Sequence, residues 1–148
     1  RSGVEQAFLP GRMEVIAASP RVVIDGAQNA ESARELKYSV EEIFRYDKLI
    51  LLIGLSKDKD VKGFCAQLGP MADEVVITRS ASQRAMDPGV IKGFLEGKIS
   101  RIAENTKEAL GLALASSGEN DLVLAAGSFY LIGEIRDLIL SKHGKDNQ

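Results

Sequence analysis

The amino-acid sequence predicts a three-layer α/β domain. A mixed sheet of six strands, the first of them an antiparallel edge, should lie between about five helices. Short apolar runs alternate with segments of helical period, the pattern of a largely parallel sheet. Val22–Ile24, Leu49–Ile53 and Leu122–Ala125 are almost unbroken Val, Ile, Leu and Ala, as strands covered by helices on both faces must be. The chain of 148 residues suits one domain that buries about two-thirds of its extended surface.

In order, strands are expected at Met13–Ala17, Val22–Asp25, Leu49–Ile53, Glu74–Thr78, Arg101–Ala103 and Leu122–Ala125. The connection from Ala17 to Val22, which contains Pro20, is too short for a crossover helix. The first two strands must therefore run antiparallel, with the first at an edge. Ser32–Phe44 sets Leu36, Val40, Ile43 and Phe44 on one helical stripe, and Val61–Leu68 does the same with Val61, Phe64, Cys65 and Leu68. Asp87-Pro88 is a helix start, an N-cap acceptor followed by a residue whose missing N–H costs nothing there. Asn105 with Glu108 three residues on resembles a capping box ahead of Ala109, Leu110, Ala113 and Leu114. The last helix, Phe129–Ser141, should bury Ile132, Ile135, Leu138 and Ile139, and the polar tail from Lys142 should fray.

Composition narrows the function classes. Apolar content of 45%, charge of 27% and a net charge of −2 favour neither nucleic acid nor an anionic membrane as partner. No apolar run approaches the roughly 20 residues that span a bilayer, and no signal-peptide pattern opens the chain. The single cysteine, Cys65, precludes an internal disulfide, suits a cytoplasmic setting and is expected in the core. With one cysteine and one histidine, His143 in the tail, neither a zinc site of the usual kind nor a Ser–His or Cys–His nucleophilic pair can be assembled. The start at Arg1, with a motif following almost at once, is expected of a domain cut from a longer protein.

Ligands of parallel α/β sheets bind at the carboxyl ends of the strands. Here Val22-Val23-Ile24 ends in Asp25-Gly26-Ala27-Gln28-Asn29, with Pro10-Gly11-Arg12 just upstream. The turn lacks the Gly-x-Gly-x-x-Gly of a dinucleotide-binding domain, and no Gly-x-x-x-x-Gly-Lys-Ser/Thr phosphate cradle occurs. A phospho-accepting receiver domain would need aspartate after the third strand, where the chain has Gly54. What remains is a nucleotide-touching domain that does not hold a triphosphate alone. Each candidate also has a plain structural use. Arg12 suits phosphate or ribose with its planar fork, or is a solvated turn residue. Asp25 caps the following helix or accepts from ribose hydroxyls. Ser56-Lys57-Asp58-Lys59-Asp60 is a charged turn capped by Asp60, or brings Lys57 or Lys59 to an anion. Ser128, in Gly127-Ser128-Phe129-Tyr130, is an N-cap at a helix start able to hold an anion, while Tyr130 is expected to pack on the core.

Pro10-Gly11-Arg12, Asp25–Asn29 and Gly127–Tyr130, in this order and at these strand ends, resemble the carboxy-terminal domain of the Mur-ligase superfamily. Within it they are similar to the folylpolyglutamate synthase/dihydrofolate synthase branch. The resemblance runs from Pro10 to about Ile139 and implies a Rossmann-like sheet of six strands, five of them parallel. It implies an ATP-dependent ligase that phosphorylates a folate or dihydropteroate carboxylate and couples the acyl phosphate to L-glutamate. It places Arg12, Asp25 and Gln28 at the nucleotide and Ser128 at the glutamate carboxylate. The P-loop and the magnesium ligands would belong to an amino-terminal ATPase domain absent from this chain, so residues 1–148 are expected to be inactive alone. Gln28 stands where the branch usually has histidine, which excludes any role needing imidazolium but keeps a donor and an acceptor. Ala30 stands where proline is common. Another Mur-type amide ligase domain, or a stand-alone nucleotide-binding module without catalysis, are the alternative readings.

Overall fold

The computed structural model describes residues 12–146; Pro10 and Gly11 of the first motif lie outside the described residues, as does the His143 side chain. The strands are β1 (Glu14–Ala18), β2 (Arg21–Asp25), β3 (Leu49–Ile53), β4 (Glu74–Ile77), β5 (Ile99–Ile102) and β6 (Leu122–Ala126). The helices are α1 (Ala30–Ile43), α2 (Val61–Leu68), α3 (Pro88–Lys92), α4 (Thr106–Ser116) and α5 (Phe129–Asp146), with a 3₁₀ turn at Gly69–Met71. The sheet order is β1-β2-β6-β3-β4-β5. β1 pairs antiparallel with β2 at one edge, and every other pairing is parallel. The expected six-stranded sheet with one antiparallel edge is therefore the observed one. No helix among the described residues is long and apolar enough to cross a membrane.

Alternation along the strands builds two cores. Val23, Leu49, Leu51, Ile53, Val75, Ile77 and Leu124 face one way, against Leu36 and Val40 of α1, Phe64 and Leu68 of α2 and Ile91 of α3. Their neighbours Val22, Ile24, Ile50, Leu52, Val76 and Val123 face α4 and α5 through Ala109, Ala113, Leu131 and Ile135. A strand with both faces buried reads as a continuous apolar run for this reason.

Several helix details depart from the sequence reading. Ile43 is 60% exposed, because the α1 stripe narrows to Ala33, Leu36 and Val40 and the helix ends at this residue. Tyr130 is 54% exposed rather than packed; the helix start turns it outward while Leu131 and Ile132 fill the core. The backbone of α5 continues to Asp146 instead of fraying at Lys142. At α4, Asn105 accepts from the Glu108 N–H, but in the reciprocal bond Glu108 Oε1 accepts from the N–H of Glu104, one residue earlier than a capping box requires.

α1 begins at Ala30, two residues before the expected start, because Asn29 and Ser32 form a full capping box. Ala30 is the first helical residue, a position where proline costs no hydrogen bond. Asn29 is extended, with φ −142 and ψ 177, which a following proline tolerates. Ala30→Pro is therefore expected to raise stability by about 0.5 kcal/mol through the unfolded chain, measured as a shifted urea midpoint.

Cys65 is buried on α2 as expected, and burial pushes its thiol up to about 11. Little thiolate forms at neutral pH, so Ellman's reagent should react with the chain in denaturant and scarcely at all without it.

Candidate functional site

Strand register creates the site. Asp25 of β2 and Ile53 of β3 both align with Ala126 of β6, so three neighbouring strands end at one level. Each is followed by a glycine: Gly26, Gly54 and Gly127. β2 leads to α1 on one face and β6 leads to α5 on the other, which makes the β2/β6 junction a switch point of the sheet. Open α/β sheets bind their ligands in such crevices.

A cleft of about 460 Å³ opens there, lined by Arg12, Met13, Asp25, Gly26, Gln28, Glu35 and Phe129 among others. It brings together three of the four residues singled out in the sequence for nucleotide or substrate. Arg12 is exposed, and no carboxylate among the described residues pairs with it. Gln28 is half-buried; its backbone N–H donates to Ser32 Oγ at 3.1 Å, and its side-chain amide bonds no described residue. Phe129, 55% exposed, lies over Gly26 at the β6 side.

Asp25 does not cap α1, a task that Asn29 performs. It is 8% exposed, and its Oδ2 accepts from the Ala27 N–H at 2.8 Å while Oδ1 accepts from the Met13 N–H at 2.9 Å. Burial pushes its carboxyl above the usual carboxylate range; the two N–H donors and the nearby Arg12 charge pull the other way without cancelling the effect.

An added Cβ at Gly26 would meet the Phe129 ring at 2.4 Å. The ring is the far end of a side chain and can swing away, so Gly26→Ala should cost only about 1 kcal/mol. That cost should vanish in a Phe129→Ala background, checked by urea melts of the four proteins of the cycle.

Ser128 caps α5: its Oγ accepts from the N–H groups of Tyr130 at 3.1 Å and Leu131 at 3.3 Å, and it is 4% exposed. It is adjacent in sequence to Phe129 of the cleft, but the cleft walls leave it out. Lys57 and Lys59 are also elsewhere, in a loop that the backbone ties to the one after β4. The Lys57 N–H donates to Arg84 O at 2.7 Å, Ser56 bridges Ala85, and Arg84 pairs with Asp58 at 3.3 Å. Asp60 caps α2 through the Gly63 N–H, the structural use expected of it. A second cleft of about 780 Å³, between α4, α5 and the loop at Arg79–Ala81, contains none of the residues picked from sequence for nucleotide or substrate.

Sequence reasoning passed over Met13, Glu35 and Phe129. Glu35 gave a usable signal, since with Ser32 and Ser39 it forms a polar stripe along α1 that flanks its apolar one. Met13 gave none, because its part depends on a backbone N–H.

Comparison with known proteins follows the same strand ends. Residues 11–129 match the family described as "Mur ligase, glutamate ligase domain". The chain is 36% identical over 138 residues to a probable bifunctional folylpolyglutamate synthase/dihydropteroate synthase of Halobacterium salinarum, covering 90% of this chain and 17% of that protein. Among solved structures it superimposes on FolC of Escherichia coli in complex with DHPP and ADP, with a TM-score of 0.88 and 26% identity over 97% of this chain. It also superimposes on the bifunctional folylpolyglutamate synthase/dihydrofolate synthase of Yersinia pestis complexed with AMPPNP and Mn ion, with a TM-score of 0.84 and 26% identity over 94% of this chain. The chain spans only 34% and 33% of those two structures.

Proposed function

Because this chain belongs to the Mur ligase family as its glutamate ligase domain, we propose that it is the carboxy-terminal part of an ATP-dependent folylpolyglutamate synthase/dihydrofolate synthase. The observation that carries the reading is the cleft at the β2/β6 switch point. There a guanidinium and a side-chain amide, neither of them bonded to a described residue, converge with a buried carboxylate. That donor and acceptor set fits a nucleotide: Arg12 for phosphate oxygens, Gln28 for a hydrogen bond to phosphate or ribose, and Asp25 at the same end. Ser128 is assigned to the carboxylate of the incoming L-glutamate. Its O–H donates to no described residue, and it stands at the start of a long helix.

In this reading ATP phosphorylates a carboxylate of folate or dihydropteroate. The glutamate amine then attacks the acyl carbon, expelling phosphate and forming the amide. The phosphate cradle is assigned to an amino-terminal ATPase domain of the longer protein. Magnesium is assigned there too, as the resemblance implies. Closure of the two domains would shut water away from a hydrolysable acyl phosphate.

The test is ATP-dependent glutamate addition by the longer protein, with dihydropteroate and tetrahydrofolate offered separately. Turnover with either is expected, and none from the 148-residue chain alone. A folded longer protein that binds ATP yet turns over neither acceptor would refute the folate assignment.

A further inference from the structure

The β1/β2 ladder ends at the pair Glu14–Ile24, one residue short of Asp25. Beyond it the backbone does not simply leave the sheet. Met13 takes φ +53, a left-handed conformation that a non-glycine side chain adopts only at some cost in energy. In that conformation its N–H reaches across twelve residues to Asp25 Oδ1 at 2.9 Å. The other oxygen, Oδ2, is fixed by the N–H of Ala27 at 2.8 Å, so the carboxylate cannot turn freely. The side chain of Asp25 thus supplies the rung that the main-chain ladder lacks, and the residue it holds carries Arg12 as its immediate neighbour.

We propose that Asp25 is the positioning residue for Arg12, and that it serves the nucleotide chiefly by clamping the Met13 backbone so that the Arg12 guanidinium stands over the cleft. The proposal rests on the nucleotide reading above and assigns Asp25 a manner of acting within it. Without the clamp, the left-handed turn at Met13 has no partner to hold it, and Arg12 becomes one end of a loose segment. The geometry is specific to a carboxylate. Both of its oxygens accept from backbone N–H groups, whereas an asparagine could serve only one of them and would turn an NH₂ group toward the other.

Two measurements test it. The first uses this chain and needs no activity: amide hydrogen exchange in the parent and in Asp25→Ala, or in Asp25→Leu should the alanine variant not fold, each of which removes both acceptor oxygens. Exchange at Met13 should accelerate while the Glu14–Ile24 pair and the rest of the β1/β2 ladder stay protected. Unchanged protection at Met13 would overturn the clamp. The second is a double-mutant cycle in the longer protein, reading KM for ATP and kcat separately. Arg12→Ala should lower kcat/KM for ATP by about 100-fold. Asp25→Ala should lower it by about tenfold, the scale usual for a group that orients a contacting residue. The double variant should stay within about twofold of Arg12→Ala alone, because a clamp has nothing left to position. A loss equal to the product of the two single losses overturns the proposal. Should Asp25→Ala not fold, Asp25→Leu takes its place in the cycle. If the longer protein proves inert toward ATP, the nucleotide reading fails, while exchange at Met13 still decides the clamp.

Discussion

Gly127→Ala is expected to destabilise the domain by about 4 kcal/mol, the sum of backbone strain and overpacking of a few kcal/mol each. Gly127 has φ +122, a conformation that L side chains rarely adopt. Its Cβ would stand 2.1 Å from the Gly54 carbonyl oxygen and 3.0 Å from the Gly54 carbonyl carbon. Neither is a side chain that can rotate away. Gly54 cannot retreat either, since a Cβ there would already be 2.8 Å from Thr78 O, at the end of the next strand. The close approach therefore runs through backbone from β6 to β3 to β4, and relief at one point is pressure at the next. Against a total stability of roughly 5–15 kcal/mol for a domain of ordinary size, such a loss leaves a substantial unfolded fraction. Urea melts settle the magnitude, with Gly111→Ala and Gly133→Ala as internal controls. Those glycines sit inside α4 and α5 with open space where a Cβ would go. Alanine there should stabilise by up to about 1 kcal/mol. A Gly127→Ala variant within 1 kcal/mol of the parent would mean that the strand ends are looser than their spacing implies.

The same strand ends show how far the sequence could be read. The central strands of the sheet were legible because they are buried on both faces and so leave continuous apolar runs, as Leu49–Ile53 does. The antiparallel edge followed from chain length alone, since no helix fits between Ala18 and Arg21. Helix caps were legible where one residue does the work, as with Asp60 and Ser128. Exposure of individual stripe residues was less so. Ile43 and Tyr130 carry apolar or aromatic side chains at the right period but at helix ends, where the stripe no longer faces the sheet. For the site, sequence picked Arg12, Asp25 and Gln28, which share one cleft, but it could not tell what Asp25 binds. A carboxylate before a helix reads as a cap. The partners it has, the N–H groups of Met13 and Ala27, leave no mark in residue identity because every residue except proline offers the same donor. Lys57 and Lys59 read equally as part of a charged turn or as contacts for an anion, and the tie between Lys57 and Arg84 holds their loop outside the cleft walls.

Arg12→Ala should leave the fold intact and cost the longer protein about 100-fold in kcat/KM for ATP, close to 3 kcal/mol of transition-state stabilisation. The side chain is exposed and ion-pairs with no described carboxylate, so its removal breaks no contact on which the core depends. Melting should shift by no more than about 0.5 kcal/mol. What is lost is a planar fork that can take two phosphate oxygens at once, so Arg12→Lys should recover only part of the activity. Charge and shape can be separated by pH. Burial already holds the Asp25 carboxyl above its usual range, and the Arg12 charge is one of the influences that restrain it. Without that charge the carboxyl takes up its proton at higher pH, and a protonated Asp25 clamps Met13 less well. Protection of the Met13 amide should therefore fail at higher pH in Arg12→Ala than in the parent or Arg12→Lys. The acidic limb of kcat/KM that Asp25 sets should persist in Arg12→Lys and disappear in Arg12→Ala, where the clamp has nothing left to position. Equal limbs in all three proteins would separate Asp25 from Arg12 and leave the guanidinium acting on the nucleotide alone.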